Sequence, residues 1–334
     1  MRLPVTGIFI SLAILIIVLF AIDMTIGTSN IPISNVWLAL TGGDCPDTTR
    51  KIILNIRLLK AISALVVGTA LSVSGLQMQT LFRNPLAGPY VLGISSGASL
   101  GVALFILGAP ILGLAGSSVF STIGLAGSAW IGAAIILVVI AAVSQRIKDI
   151  MVILILGMMF GSGVSAIVQI LQYMSDESSL KAFVIWTMGS LGDVTQTQLL
   201  LLIPAVVLGL ILSTIIIKSL NLLLLGENYA RTMGVDIGKS RLIIFLSTTL
   251  LAGTVTAFCG PIGFVGLAIP HVARMIFSSA DHRILMPGVA LTGAVVMLLC
   301  DIISKLLTLP INSITALLGI PIVVWVVVRN KSIA

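Results

Sequence analysis

The sequence predicts an all-α integral membrane protein with about ten transmembrane helices. Three observations carry that prediction. Of 334 residues, 58% are hydrophobic and only 9% charged, against roughly 25% charged in soluble domains. The apolar residues fall into runs near the length of about 20 that one helical crossing needs. The 32 glycines and low aromatic content (5%) suit helices that pack through small faces. A soluble fold of this length has too little interior to hide so much apolar surface, so the whole chain, 1–334, is read as one transmembrane domain.

The expected spans are 5–26, 58–80, 90–108, 118–142, 150–172, 197–218, 241–259, 261–277, 284–306 and 312–328. The first follows Arg2 and has no small-residue cleavage site behind it, so it is expected to remain as a span. Residues 29–56, with Gly42, Gly43, Asp44 and Pro46, form a polar outer connection. Asn84-Pro85-Leu86 breaks the chain between spans two and three. Gly93, Gly97 and Gly101 on span three, and Gly157 and Gly161 on span five, repeat at a spacing of four that favours close helix contact. Residues 178–191 are apolar but too short to cross, and are expected as a re-entrant or interfacial helix on the outer side. Residues 219–240, holding Glu227, Arg231, Asp236 and Lys239, are the longest inner connection.

Charge bias orients the spans. Arg2, Arg83, Arg146, Lys148, Lys218, Arg231, Lys239, Arg241, Arg274, Arg283, Arg329 and Lys331 fall on the side of the termini. Arg50, Lys51, Arg57, Lys60, Lys181 and Lys305 fall on the other. Twelve cations against six predict cytoplasmic termini. A weak inverted internal repeat is also visible. Gly68-Thr69 followed by Gly75 has the spacing of Gly253-Thr254 followed by Gly260, on spans expected to run in opposite directions.

Several functions are disfavoured. The net charge of +7 is scattered singly, without the basic stripe that nucleic acid requires. Gly234-Val-Asp-Ile-Gly238-Lys239-Ser240 resembles a phosphate loop but has three residues between its glycines instead of four, and no preceding strand. Cys45, Cys259 and Cys300 show no metal or disulfide spacing, and no metal site is expected. An ion-coupled secondary transporter is the alternative function, but it needs buried acids near the midplane. The inventory is thin. Asp23 ends span one, Asp301 and Lys305 sit one turn apart near the outer end of span nine, and His271 follows Pro270. A local Asp301–Lys305 pair and a structural hydrogen bond for His271 are the plainer readings. Nothing forms a catalytic constellation, so the chain is not expected to be an enzyme. Its energy must then come from a partner, and residues 219–240 are the docking element.

Five stretches carry a family resemblance. Residues 75–98 read Gly-Leu-Gln-Met-Gln-Thr-Leu-Phe-Arg-Asn-Pro-Leu-Ala-Gly-Pro-Tyr-Val-Leu-Gly-Ile-Ser-Ser-Gly-Ala, and residues 260–274 read Gly-Pro-Ile-Gly-Phe-Val-Gly-Leu-Ala-Ile-Pro-His-Val-Ala-Arg, followed by Asp281-His282-Arg283. With them stand Gly226-Glu227 through Ala230, Arg231, Gly234 and Val235, then Trp186 to Leu191, and Leu309-Pro310 to Pro321. Taken in chain order, these stretches resemble the FecCD family of ABC-importer permeases, which serve ferric siderophores, haem and cobalamin.

The resemblance implies a permease that forms the pathway as one of two copies, expected as a homodimer. Two cytoplasmic ATPase subunits using ATP and Mg lie below, and an extracytoplasmic substrate-binding protein docks above. No cofactor is expected on this chain. Gly226, Glu227, Ala230, Arg231, Gly234 and Val235 are implied to couple to the ATPase, and Asn84, Pro85 and Leu86 to contribute to the inner gate. The family usually has Arg-Leu-Pro-Arg at the start of span two, where this chain reads Arg57-Leu58-Leu59-Lys60. Arg57, Lys60 and Lys305 are the implied binding-protein contacts. Lysine lacks the planar fork of arginine, so the contact at position 60 is less geometrically specific.

Overall fold

The computed structural model describes residues 4–27, 31–108, 122–147 and 149–329. Among them the chain forms fourteen helices. These are α1 (Val5–Thr25), α2 (Ile33–Thr41), α3 (Asp47–Leu81), α4 (Ile94–Gly108), α5 (Thr122–Arg146), α6 (Ile150–Met174) and α7 (Glu177–Thr187). They continue as α8 (Gln196–Ile215), α9 (Ile217–Leu224), α10 (Glu227–Thr232), α11 (Ile237–Cys259), α12 (Val265–Phe277), α13 (His282–Leu307) and α14 (Ile311–Arg329).

Polar residues set the helix starts. The side chains of Asp149, Asp176, Thr195, Asp236 and Asp281 accept from backbone N–H groups in the first turns of α6, α7, α8, α11 and α13. Each satisfies a donor that a helix N-terminus leaves without an intrahelical partner. Thr195 and Gln198 form a reciprocal capping box.

Seven helices (α1, α3, α5, α6, α8, α11 and α13) are long and apolar enough to cross a membrane, and α4, α12 and most of α14 are shorter apolar helices. Together they supply the ten expected crossings. Side-chain contacts align their ends. The C-terminal ends of α1 and α13 meet the early part of α3 through Lys305, Asp23 and Arg57. The other end of α3 meets the start of α13 through Thr80 and His282. The loop before α12 meets the start of α14, where the Gly263 N–H donates to Asn312. The first and last helices therefore begin and end on one face.

The spans differ in burial. The apolar window of α11 is 72% buried and that of α13 67%, against 11% for α1 and 17% for α6. Helices α3, α11, α12 and α13 are the centre, while α1 and α6 present apolar faces outward. The centre is held by backbone contact. A side chain at Gly75 would land on the carbonyl of Gly266, and one at Gly68 on that of Gly293, so α3 lies directly on α12 and α13. Gly97 and Gly101 of α4 meet Gly132 and Ser128 of α5 in the same way. Where the backbone itself is the neighbour, no side chain can move aside to admit a methyl group.

Several boundaries depart from expectation. Span three does not begin at 90. Pro89–Leu92 is a 3-10 turn, Gly93 takes φ 76°, and the α-helix starts at Ile94. Span eight begins at Val265, after Gly260 (φ 73°) and Phe264 (φ 65°). Span seven begins at Ile237, not 241. The polar connections are largely helical. Residues 219–240 hold most of α9 and all of α10, and 29–56 holds α2 and the first turns of α3. The segment at 178–191 is a short helix, α7, as expected. The first residues of the expected 118–142 span lie outside the described residues. Both halves of the weak repeat consist of a long helix, a break in the α-helix and a shorter helix: α3 then α4, and α11 then α12.

Candidate functional site

The three expected docking cations come together at one end of the molecule. A π-turn at Ile53–Arg57 precedes the regular part of α3. Arg57 donates to the carbonyls of Met24 (2.8 Å) and Thr25 (2.7 Å) at the end of α1. A guanidinium there satisfies carbonyls that the helix terminus leaves open. Lys305 lies 2.7 Å from Asp23 and 3.0 Å from Asp301, and Lys60 lies 3.1 Å from the other oxygen of Asp301. Asp23 and Asp301 are fully buried, and Arg57 is 5% exposed. The expected Asp301–Lys305 pair is present, but it is not merely local: Asp23 and Lys60 extend it across three helices. The sequence reading found few buried ionisable groups because it weighed each alone. These sit at the helix ends and compensate one another.

At the opposite end the Asn84-Pro85-Leu86 turn is held from several sides. The Asn84 side chain accepts from the Leu86 N–H at 2.9 Å, closing a local turn. His271 Nε2 donates to the Pro85 carbonyl at 2.8 Å, the structural role expected of that histidine. Gln79 donates to the Leu267 carbonyl at 3.0 Å and accepts from Arg274 at 2.7 Å. His282 places Nε2 2.8 Å from the Thr80 hydroxyl and donates from Nδ1 to Asn221 at 2.7 Å. Asn221 in turn donates to Asp281 at 2.6 Å. Four helices (α3, α9, α12 and α13) are thus joined around the turn. Gln79 and His282 stand within stretches that carry the resemblance, yet neither they nor Asn221 were expected as site residues.

The expected coupling segment lies at this same end. Gly226 takes φ 110° and starts α10, and Gly234 takes φ 85° and ends its turn. An L side chain would strain both conformations. Between them Ala230 is fully buried, and its carbonyl accepts from the Val235 N–H. Tyr229, Arg231 and Met233 remain exposed. Glu227 pairs with the buried Arg241 at 2.6 Å, fastening α10 to α11. The guanidinium of Arg83 lies beside Gly226, so the residue before the Asn84 turn meets the start of α10. The phosphate-loop-like run is the capped start of α11. The Lys239 N–H donates to Asp236 and, with the ammonium of Lys239, holds that carboxyl below the usual carboxylate range.

Between α4 and α6 lies a cleft of about 540 Å³. Its polar lining comes from Ser96, Ser162, Ser165, Gln169 and Tyr90, and none of its lining side chains is charged. Such a surface makes weak, replaceable hydrogen bonds and offers no strong point charge.

Seven helices long enough to cross a membrane and three shorter apolar ones, with an exposed short helix at one end and a charged cluster at the other, fit a polytopic membrane subunit. Residues 14–329 match the FecCD transport family, and the chain belongs to that family. It is 37% identical to the hemin transport system permease protein HmuU of Yersinia pestis, over 96% of this chain and 95% of that protein. It is 35% identical to the vitamin B12 import system permease protein BtuC of Salmonella paratyphi A, over 88% and 86%. An inward-facing structure of a metal-chelate type ABC transporter superposes with a TM-score of 0.83 at 32% identity, covering 97% of this chain and 99% of that one. PsaBC from Streptococcus pneumoniae shares the fold, with a TM-score of 0.55 at 19% identity. The chain is therefore a multi-pass membrane permease of an ABC importer and not an enzyme. It works with ATPase partners and a paired permease, which sets aside the ion-coupled alternative.

Proposed function

We propose that two copies of this chain form the pathway by which a ferric siderophore, haem or corrinoid crosses the bacterial cytoplasmic (inner) membrane. Two ATPase subunits using ATP and Mg drive the cycle from the cytoplasmic side, where both termini lie. An extracytoplasmic binding protein delivers the substrate, and the chain itself binds no cofactor. The neutral cleft supports this reading, because a large chelate must pass without being held. The printed functions of the hemin and vitamin B12 permeases support the substrate class.

The observation that carries the coupling role is α10. It is a single exposed turn bounded by two left-handed glycines, anchored by Ala230 and by the Glu227–Arg241 pair. We assign ATPase contact to Gly226, Glu227, Ala230, Arg231, Gly234 and Val235, and the inner gate to Asn84, Pro85 and Leu86. Arg83, beside Gly226, joins the two. Arg57, Lys60 and Lys305 are the docking cations, with Lys60 the most accessible of them at its side chain.

Reconstitution with the ATPase and binding protein in vesicles tests the assignment. Replacing both Gly226 and Gly234 by valine strains each end of α10. ATP-dependent uptake should fall by about tenfold or more while the permease keeps its melting temperature within a few degrees. Wild-type uptake by that variant would refute the coupling role of α10.

A further inference from the structure

We infer that the Arg83 side chain is a strut that passes movement of α10 to the Asn84 turn. This role rests on the coupling and gate assignments above and adds the single residue through which one acts on the other.

The backbone gives the first reason. Two hydrogen bonds close α3: the Asn84 N–H donates to the Gln79 carbonyl at 3.2 Å, and the Arg83 N–H to the Thr80 carbonyl at 3.2 Å. That pairing puts the residue at 83 in the left-handed region, where glycine ordinarily stands. Arg83 takes φ 47° there, a conformation that strains a side-chain-bearing residue and that glycine would adopt freely. The closing hydrogen bonds involve only the backbone, so the turn itself has no use for the side chain.

The side chain gives the second. A methyl group on Gly226 would lie 3.5 Å from a guanidinium nitrogen of Arg83, so the guanidinium sits over the junction of α9 and α10. The open carbonyls and the negative end of the α9 dipole favour a cation at that junction. The Gly226 carbonyl accepts from the N–H of the buried Ala230 at 2.9 Å, so the junction moves with α10. Directly after Arg83 comes Asn84, whose side chain closes the turn. One side chain thus spans from the exposed helix to the turn. The route through Glu227, Arg241 and His271 to Pro85 must instead cross α11 and α12.

The test follows the turn directly, in the complete transporter with its ATPase subunits in nanodiscs. Leu86→Cys, in a Cys45→Ser background where the other two cysteines are buried, reports on the turn through its rate of labelling by N-ethylmaleimide. With Arg83 present, ATP and Mg should change that rate about tenfold. In Arg83→Gly the change should shrink to less than about twofold, while the melting temperature equals that of the parent or exceeds it by about 2 °C. Arg83→Lys should keep most of the change, because a helix end needs only the charge. An undiminished change in Arg83→Gly would overturn the strut. So would a melting temperature well below the parent, since the side chain would then serve only the fold. The ATPase subunits should bind the Arg83→Gly permease as tightly as the parent; weaker binding would mean that Arg83 meets the ATPase itself, and would also refute the strut. If labelling of Leu86→Cys ignores ATP even with Arg83 in place, the gate assignment fails, and this inference with it.

Discussion

The two ends of this bundle are tied by different chemistry. The end holding Arg57 uses ion pairs: Lys60, Asp301, Lys305 and Asp23 form a chain of charges across α1, α3 and α13. The end holding Asn84 uses mostly directional hydrogen bonds, from Gln79, His271, Asn221 and His282 to backbone carbonyls, a hydroxyl and one another. Ion pairs tolerate changes of angle and can exchange partners, whereas a hydrogen bond weakens steeply once its angle is lost. The docking role proposed for the first end would gain from exchangeable partners, and the gate role proposed for the second from a turn that keeps its shape.

The largest expected effect comes from breaking the ionic end. Lys305→Met removes the ammonium shared by two fully buried carboxylates. An unpaired buried charge costs about 3–5 kcal/mol, so the melting temperature in detergent should fall by several degrees. Asp23→Asn in the same background should recover part of the loss, because it removes one of the stranded charges. A triple charge reversal would conflate stability with docking, so this pair of variants is the cleaner probe. A single variant that melts like the wild type would mean that the cluster is solvated and does not tie the helices.

A smaller effect is expected at the hydrogen-bonded end. His271→Phe fills the volume but leaves the Pro85 carbonyl without its donor. One such unsatisfied group costs about 1–3 kcal/mol. The distinguishing readout is local: exchange of the Asn84, Leu86 and Ala87 amides should quicken while exchange at the end of α1 stays constant. Faster exchange at both ends would show that the two ties are one cooperative unit.

The contrast also explains what was legible in the sequence. Crossings are local properties of length and hydropathy: seven expected spans stand as helices long enough to cross and three as shorter apolar helices, with boundaries displaced where glycine or a positive-φ residue interrupts a helix, as at Gly93 and Phe264. The motif residues of the Asn84 turn and of α10 were visible because they are contiguous. The partners that hold them were not. Asp23 and Lys305 are separated by 282 residues and Gln79 and His271 by 192, and no local pattern marks either pair. On hydropathy alone residues 219–240 read only as a polar connection, because the short polar stretch of α10 between glycines has little helix propensity of its own; the helix at Glu227–Thr232 was legible only through the family resemblance. Burial of Ala230 against the bundle stabilises it.

The smallest expected effect lies at Asp236, which belongs to neither tie. Its carboxylate accepts from the Lys239 N–H and caps α11 directly after α10. Folding holds its carboxyl below the usual range, so the cap contributes stability above the unfolded carboxyl pKa of about 3.9. That contribution is lost as pH falls through the lower folded value. Asp236→Asn keeps an oxygen that can cap and should change little at neutral pH, but it should flatten the acid side of the stability curve. Asp236→Ala should lower the melting temperature slightly at pH 7, and the difference from wild type should vanish in strong acid. The group is exposed, so salt screening keeps both effects small. A difference between Asp236→Ala and wild type that persists unchanged into acid would show that the side chain acts through packing and not through its charge, and α11 would then need no anionic cap to begin where it does.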